Sequence, residues 1–384
     1  MLMQILVEFE QLTGIHVHLR QLDWSSGRRE LIHIALDRAG ADVSEIGSTW
    51  LSELATLNVL RPFERYEQNE MGVPDDYFPS VLQSCMLAGD HRLWALPWMA
   101  ETLLLYYRRD MLKTAGLFPD IAFRNLPSLQ AAAVRLNEAG VAIPFVIPDS
   151  RDRFLMLQFL SSLLWQNDAD YIHTEGRRFS IDVSPLIDAS RVLFTVLRLY
   201  SPEGVAAAKA EGVYGAFHLG HAAATLGGMW MNRGSPSFSH AEVLSNYAVT
   251  SLAHSTFTGG TNLVVWKSSL RERAALELVK FLNREENLRR IAREANYIPA
   301  RWREVSGLPE FQNPFHQLFA RSVEKGRGYP NLPLWGVVED QISATLARIW
   351  DQVVETPGID LDDLVVQSFQ QLRIQIDVTL SKLK

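Results

Sequence analysis

Tryptophan recurs in this chain beside carboxylates, hydroxyls and glycines. Asp23-Trp24-Ser25 and Gly47-Ser48-Thr49-Trp50 are two such clusters. Trp98 and Glu101 share the stretch Leu96-Pro97-Trp98-Met99-Ala100-Glu101-Thr102, which runs on into Leu103-Leu104-Leu105-Tyr106-Tyr107. Trp230 follows Gly227-Gly228-Met229, and Trp335 ends the proline-rich loop Tyr329-Pro330-Asn331-Leu332-Pro333-Leu334. Thr256-Phe257-Thr258-Gly259-Gly260-Thr261-Asn262 leads into the apolar run Leu263-Val264-Val265. A flat ring gives a ligand an apolar platform, and a few carboxylates and amides fix its orientation. Glycines let backbone N–H groups approach closely. These residue types bind; nothing in their spacing performs a reaction.

Reactive chemistries find less support. His16 and His18 share one strand face, and His218 and His221 stand at i, i+3 on a helix. Neither pair has cysteine or acidic ligands at zinc-motif spacing, so these read as solvated or capped histidines. Gly259-Gly260 with Lys267-Ser268 has the wrong spacing for a phosphate-binding loop. There is no G-x-S-x-G, no H-E-x-x-H and no dinucleotide fingerprint. A glycoside hydrolase needs two opposed carboxylates, which Asp23, Glu45, Glu101 and Glu339 supply only on paper. No enzyme activity, metal or cofactor is expected.

The elements that must position these residues read as two domains in 384 residues. Hydrophobic residues make up 47% and charged residues 21%, the balance of a folded globular chain. A net charge of -7, with both signs interspersed, gives no reason to expect nucleic acid. The single cysteine, Cys85, rules out an internal disulfide. No stretch approaches the length of an apolar membrane span.

Leu2, Ile5, Leu6, Phe9 and Leu12 fall at helical spacing before Gly14, so the sequence starts inside its first helix and without a signal peptide. Ile15, Val17 and Leu19 alternate as in a strand. A helix over 28–39 closed by Gly40, a strand at Val43–Ile46 and a short helix near Trp50–Leu57 follow. This order predicts an α/β domain with a largely parallel sheet. Ligands bind at the carboxyl ends of strands in such sheets, where both Trp24 and Trp50 would sit. Further strands are expected at 102–107, Ala222–Leu226 and Leu263–Trp266. Ser269 and Glu272 have capping-box spacing before a helix whose apolar face holds Ala274, Leu278, Phe281 and Leu282. Trp94, Trp165, Trp266, Trp302 and Trp350 read as packing residues, as do Tyr106 and Tyr107.

Five passages in order resemble the extracellular solute-binding proteins of ABC importers, the maltose-binding-protein-like class. They are Phe9–Val17, Ala41-Asp42-Val43 leading to Trp50, Leu60 and Pro62, Leu96–Gly116, Thr256–Phe281, and Ile298-Pro299-Ala300-Arg301. The resemblance implies an α/β, two-lobed periplasmic-binding-protein fold of type II, with a hinge between discontinuous lobes. Residues 1–105 plus 257–298 would form one lobe, and 106–256 plus 299–384 the other. It implies a sugar or oligosaccharide held in the interlobe cleft, and a membrane permease as partner of a monomeric, periplasmic or membrane-attached protein. The family also carries an export signal and a first strand ahead of its opening helix. Neither is in this sequence, so the expectation is a true start upstream, with a truncated product lacking that strand as the alternative; a genuine start at Met1 would instead fit a cytoplasmic ligand sensor of the same fold.

A neutral sugar has apolar C–H faces and many hydroxyls. Its ring platforms would be Trp24, Trp50, Trp98, Trp230 and Trp335. Its polar contacts would be Asp23, Ser48, Thr49, Glu101, Asn262 and Glu339, since carboxylates make the stronger, charge-assisted bonds. Gly228, Gly259 and Gly260 would admit close backbone approach. Trp98 and Trp230 stand out, each expected in a loop beside a strand end.

Overall fold

The computed structural model describes residues 1–37, 41–72, 74–175, 178–232, 239–295 and 297–381. Its strands are β1 (Val43–Gly47), β2 (Leu60–Arg61), β3 (Leu96–Thr102), β4 (Leu104–Arg108), β5 (Ile172–Glu175), β6 (Arg178–Ile181), β7 (Ala224–Gly227), β8 (Tyr247–Thr250), β9 (Thr258–Trp266) and β10 (Ile298–Pro299). The chain divides into two compact units. Unit 1 comprises Met1–Glu101 and Thr258–Gly336, and unit 2 comprises Thr102–Phe257 and Val337–Lys384.

The segment 299–336, expected with the second lobe, therefore packs in unit 1. Specific pairings hold it there. β10 pairs antiparallel with β3, placing Ile298 opposite Ala100. Thr258 N donates to Arg327 O at 2.8 Å, and Asn331 Nδ2 donates to Met86 O at 3.0 Å. Long-range pairings of this kind leave no mark on local periodicity.

In unit 1 the sheet runs β1-β9-β3-β10, with β2 also paired to β9. β9 lies antiparallel to β1, with Ile46 opposite Asn262 and Gly47 opposite Thr261. β2 also lies antiparallel to β9, and β10 antiparallel to β3. The largely parallel sheet expected from the helix–strand order is thus not what forms. β9 comes from far along the chain and enters between β1 and β3, and its direction sets those of its pairs.

Leu2–Thr13 is helical and buries Ile5, Leu6 and Phe9. Gly14 ends it at φ 71, a left-handed conformation that glycine adopts without strain. The Phe9 ring lies 5.2 Å from that of Phe281 on the helix Glu272–Leu282. That helix lacks the expected capping box. Ser269 Oγ instead donates to Asp42 and accepts from Arg271 N, while Glu272 bonds Arg61. The second helix starts at Trp24, earlier than expected, and its expected stop at Gly40 lies outside the described residues.

The strand expected over Ile15–Leu19 is absent. These residues carry no regular structure, and Leu19 is 49% exposed. Alternation makes a strand only where a neighbour supplies a ladder. None of the described strands pairs with this segment. It folds back on the first helix, where Val17 N donates to Glu10 at 2.6 Å and His16 Nδ1 lies 2.8 Å from the same carboxylate.

Unit 2 is built on the antiparallel sheet β7-β4-β8, with Tyr106 opposite both Thr225 and Val249. Ile143 joins this sheet by a parallel bridge to Ala222, and Val146 N donates to Ala224 O at 2.9 Å. The helix Ser184–Leu197 packs on Leu126–Glu138, Arg153–Leu164 and the C-terminal helix Leu361–Leu380. Of the three passages between units, the first two are tied together within unit 2: Thr102 Oγ1 lies 2.8 Å from Thr256 Oγ1 and donates to Phe257 O at 3.0 Å. No described helix is long and apolar enough to cross a membrane.

Candidate functional site

Unit 1 gathers most of the sequence-nominated residues around one sheet. β1 delivers Gly47 into the short turn Ser48–Trp50, and Trp24 opens the helix Trp24–Asp37. The two indoles meet with centroids 5.1 Å apart at 58°. Trp24 is 55% exposed, while Trp50 is half-buried. Glycines make room for this pair. A Cβ on Gly47 would come within 3.2 Å of the Trp50 ring, and one on Gly27 within 3.6 Å. Asp23 is exposed, and its carbonyl accepts from Gly27 N at 2.6 Å, fixing the helix start. Ser48 is buried and Thr49 half-buried. Behind the pair, Arg28 forms an ion pair with Glu53 at 2.8 Å.

The same sheet carries the β9 and β3 candidates. Thr261 and Asn262 stand opposite Gly47 and Ile46, so the Trp50 turn leaves the sheet beside them. Asn262 is fully buried, with Nδ2 3.5 Å from Ser84 Oγ. The next strand is β3, bearing Trp98 and the half-buried Glu101.

Several expectations need correction here. Trp98 lies inside β3 and is 5% exposed, not in a loop, because the apolar run around it continues the strand through Pro97. Gly259 and Gly260 lie inside β9, and Gly259 is buried. A Cβ on Gly260 would sit 2.0 Å from Met99 O, and its φ is 136, so this glycine serves the contact of β9 with β3. Trp335 is fully buried with its ring 4.9 Å from Tyr329, a packing role at the start of the helix Trp335–Glu355.

Unit 2 contributes a second, smaller group. Trp230 lies in the turn Met229–Asn232 just after β7 and is half-buried, its ring 6.1 Å from Tyr214. Gly228 is buried, and its carbonyl accepts from Tyr106 Oη at 3.0 Å. Glu339 is 2% exposed on the helix Trp335–Glu355. His218, which the sequence suggested as solvated or capped, is fully buried, with Nε2 2.7 Å from Met231 O. Burial holds its imidazole below the usual 6.5, partly opposed by the Met231 carbonyl.

One polar turn escaped notice in the sequence. Ile143 to Val146 runs parallel to the residues entering β7, so Asp149 leaves the sheet on the edge from which Trp230 emerges. Asp149 is 6% exposed; it accepts from Arg151 Nε at 2.9 Å and caps the turn Ser150–Asp152. Pro148-Asp149-Ser150 after the apolar Phe145-Val146-Ile147 is turn chemistry that could have flagged it.

No described group of histidine, cysteine and acidic residues is arranged to hold a metal. Cys85 is buried, which raises its thiol far above the usual range and leaves it unreactive. The arrangement can present rings and hydrogen-bonding groups to a small polar molecule.

Comparison with known proteins agrees with this architecture. No curated relative matches the chain by sequence. Among solved structures it is similar to the sugar-binding protein MalE from Xanthomonas citri, at 21% identity and a TM-score of 0.78, covering 99% of this chain and 94% of that one. It is also similar to the GacH receptor of Streptomyces glaucescens, at 18% identity and a TM-score of 0.76, covering 97% and 94%. A third is maltose-bound MalE3 of T. maritima, at 20% identity and a TM-score of 0.76, covering 97% and 95%. At these identities the likeness is one of fold, the α/β type II fold of periplasmic binding proteins. The family model for bacterial extracellular solute-binding proteins matches residues 2–288, and the chain belongs to that family.

Proposed function

We propose that this protein is the solute-binding component of an ABC importer and that its solute is a sugar or short oligosaccharide. The observation that carries the reading is the pairing of the exposed Trp24 with the half-buried Trp50, whose ring rests on Gly27 and on Gly47 at the end of β1. The exposed Trp24 indole, backed by a Trp50 ring that rests on glycines, suits the apolar C–H face of a sugar ring, and Asp23, Ser48 and Thr49 close by, with Glu101 on β3, suit its hydroxyls. Trp98, Gly259 and Asn262 complete the proposed residues of unit 1, while Gly260 and Trp335 serve its packing. Gly228, Trp230 and Glu339 are the proposed residues of unit 2. The GacH receptor was solved with acarbose and MalE3 with maltose, which supports a carbohydrate here.

The protein acts outside the cytoplasmic membrane as a monomer, and its partner is a membrane permease. It binds without altering the sugar. A ligand shifts a conformational equilibrium only by its differential affinity, so contacts made in one state alone would signal loading to that partner. A thermal-shift screen against mono- and oligosaccharides, with product analysis of each hit, tests this. A ligand that binds the native state raises the melting temperature in step with ln(1 + [L]/Kd). An upward shift with intact sugar supports the reading. A cleaved sugar, or no shift across the panel, sinks it.

A further inference from the structure

Trp230 is held through one imidazole. His218 ends the helix Pro202–His218 and is fully buried. Its Nε2 lies 2.7 Å from Met231 O and its Nδ1 2.9 Å from Ser239 Oγ. A carbonyl oxygen can only accept, so Nε2 carries the hydrogen, and Nδ1 accepts from the Ser239 hydroxyl. The backbone adds a third tie, His240 N donating to His218 O at 3.0 Å. Tyr214 neighbours both side chains, its ring 4.5 Å from His218 and 6.1 Å from Trp230. Met231 is itself fully buried. The residue after Trp230 therefore cannot shift without giving up the Nε2 bond and leaving a buried carbonyl without it.

We propose that His218 is a positioning residue for ligand binding: by clamping Met231 and Ser239 it fixes the turn Met229–Asn232, and so the face that Trp230 presents to the ligand. The proposal rests on the reading of Trp230 as a ligand contact. A histidine that merely filled a core would support the fold without setting the pose of one ring. The two roles separate experimentally, because a glutamine at 218 can still place an amide N–H near the Met231 carbonyl, whereas alanine cannot.

The test uses the full chain labelled with 5-fluorotryptophan, with the Trp230 fluorine resonance assigned by its loss in W230F. Spectra are recorded without ligand, and maltotriose is the probe in parallel binding titrations. In H218A the Trp230 resonance should shift or broaden while those of Trp24 and Trp50 stay in place, and maltotriose affinity should fall about tenfold, the scale of one misplaced aromatic contact. H218Q should return both toward wild type, and S239A should give a smaller shift in the same direction. If H218A fails to fold, S239A and H218Q carry the comparison. An unmoved Trp230 resonance in folded variants overturns the proposal. So does a displaced resonance with unchanged affinity. If wild type binds no sugar of the wider panel, the functional reading fails on its own, and the fluorine spectra still decide whether His218 sets the Trp230 pose.

Discussion

The two tryptophan sites are built in opposite ways. Trp24 and Trp50 lean on each other at the surface of unit 1, on a floor of glycines, with Trp24 more than half exposed. Trp230 in unit 2 is half-buried against Tyr214 in a turn clamped by a buried histidine. The first arrangement separates binding from stability, because an exposed ring contributes little to the core. The second couples them, because the ring that would meet a ligand also belongs to a packed cluster. Substitutions should show this as a difference in which measurement moves.

The largest effect belongs to the framework beneath unit 1 and sets the scale for the rest. Gly260→Ala would force a Cβ to within 2.0 Å of Met99 O at a φ of 136. Backbone cannot yield as a side chain can, so unfolding free energy should fall by at least about 3 kcal/mol. Urea denaturation reads this directly. A loss under about 1 kcal/mol would mean that β9 and β3 can separate at that point without disturbing the sheet.

Trp230→Ala comes next and should move both measurements. Removing a half-buried indole should lower stability by about 1–2 kcal/mol, less than the 3–5 typical of a buried tryptophan. Sugar affinity should weaken by at least about 1 kcal/mol. Trp98→Ala should weaken binding to a similar extent. Affinity unchanged in both variants would remove these rings from the proposed site. Trp24→Ala sharpens the contrast: about 1 kcal/mol of affinity lost, with stability within about 0.5 kcal/mol of wild type. A matching loss of stability there would erase the distinction between the two sites.

What the sequence made legible follows the same division between local and long-range causes. The helix Leu2–Thr13 and its stop at Gly14 are written in the local sequence and form as expected, and the apolar strands expected at 102–107, 222–226 and 263–266 form with shifted ends, as β4 (Leu104–Arg108), β7 (Ala224–Gly227) and the last part of β9 (Thr258–Trp266). The pairing of a tryptophan with a turn after β1 is written locally too. Ile15-Val17-Leu19 has an equally clear period and forms no strand, because a strand needs a neighbour and periodicity says nothing of neighbours. The burial of Trp335, the inclusion of Trp98 in β3 and the packing duty of Gly260 all depend on segments far away in the chain. The clamp around His218 was invisible for the same reason: its partners Met231 and Ser239 bear no motif, and i, i+3 spacing to His221 drew attention to the wrong relation. His221 turns instead toward Glu211, 3.7 Å away.

The smallest effect tests the coupled site through acidity. Burial keeps the His218 imidazole below the usual 6.5, so it stays neutral in the fold at a pH where the unfolded chain has begun to take up a proton. The unfolded state then binds more protons than the native one. Stability should therefore fall as pH drops below about 6.5, and level off once pH passes below the folded value. A single group can contribute at most about 1.4 kcal/mol per pH unit across that window. Other groups titrate too, including His316, which burial also lowers. The telling quantity is thus the difference between wild type and His218→Gln, in which those groups are shared. Urea midpoints between pH 7.5 and 5 should converge as pH falls, since only wild type loses stability through this residue. Parallel curves would mean that the clamp around Trp230 opens to admit the proton, and the tight coupling of that ring to the fold would have to be given up.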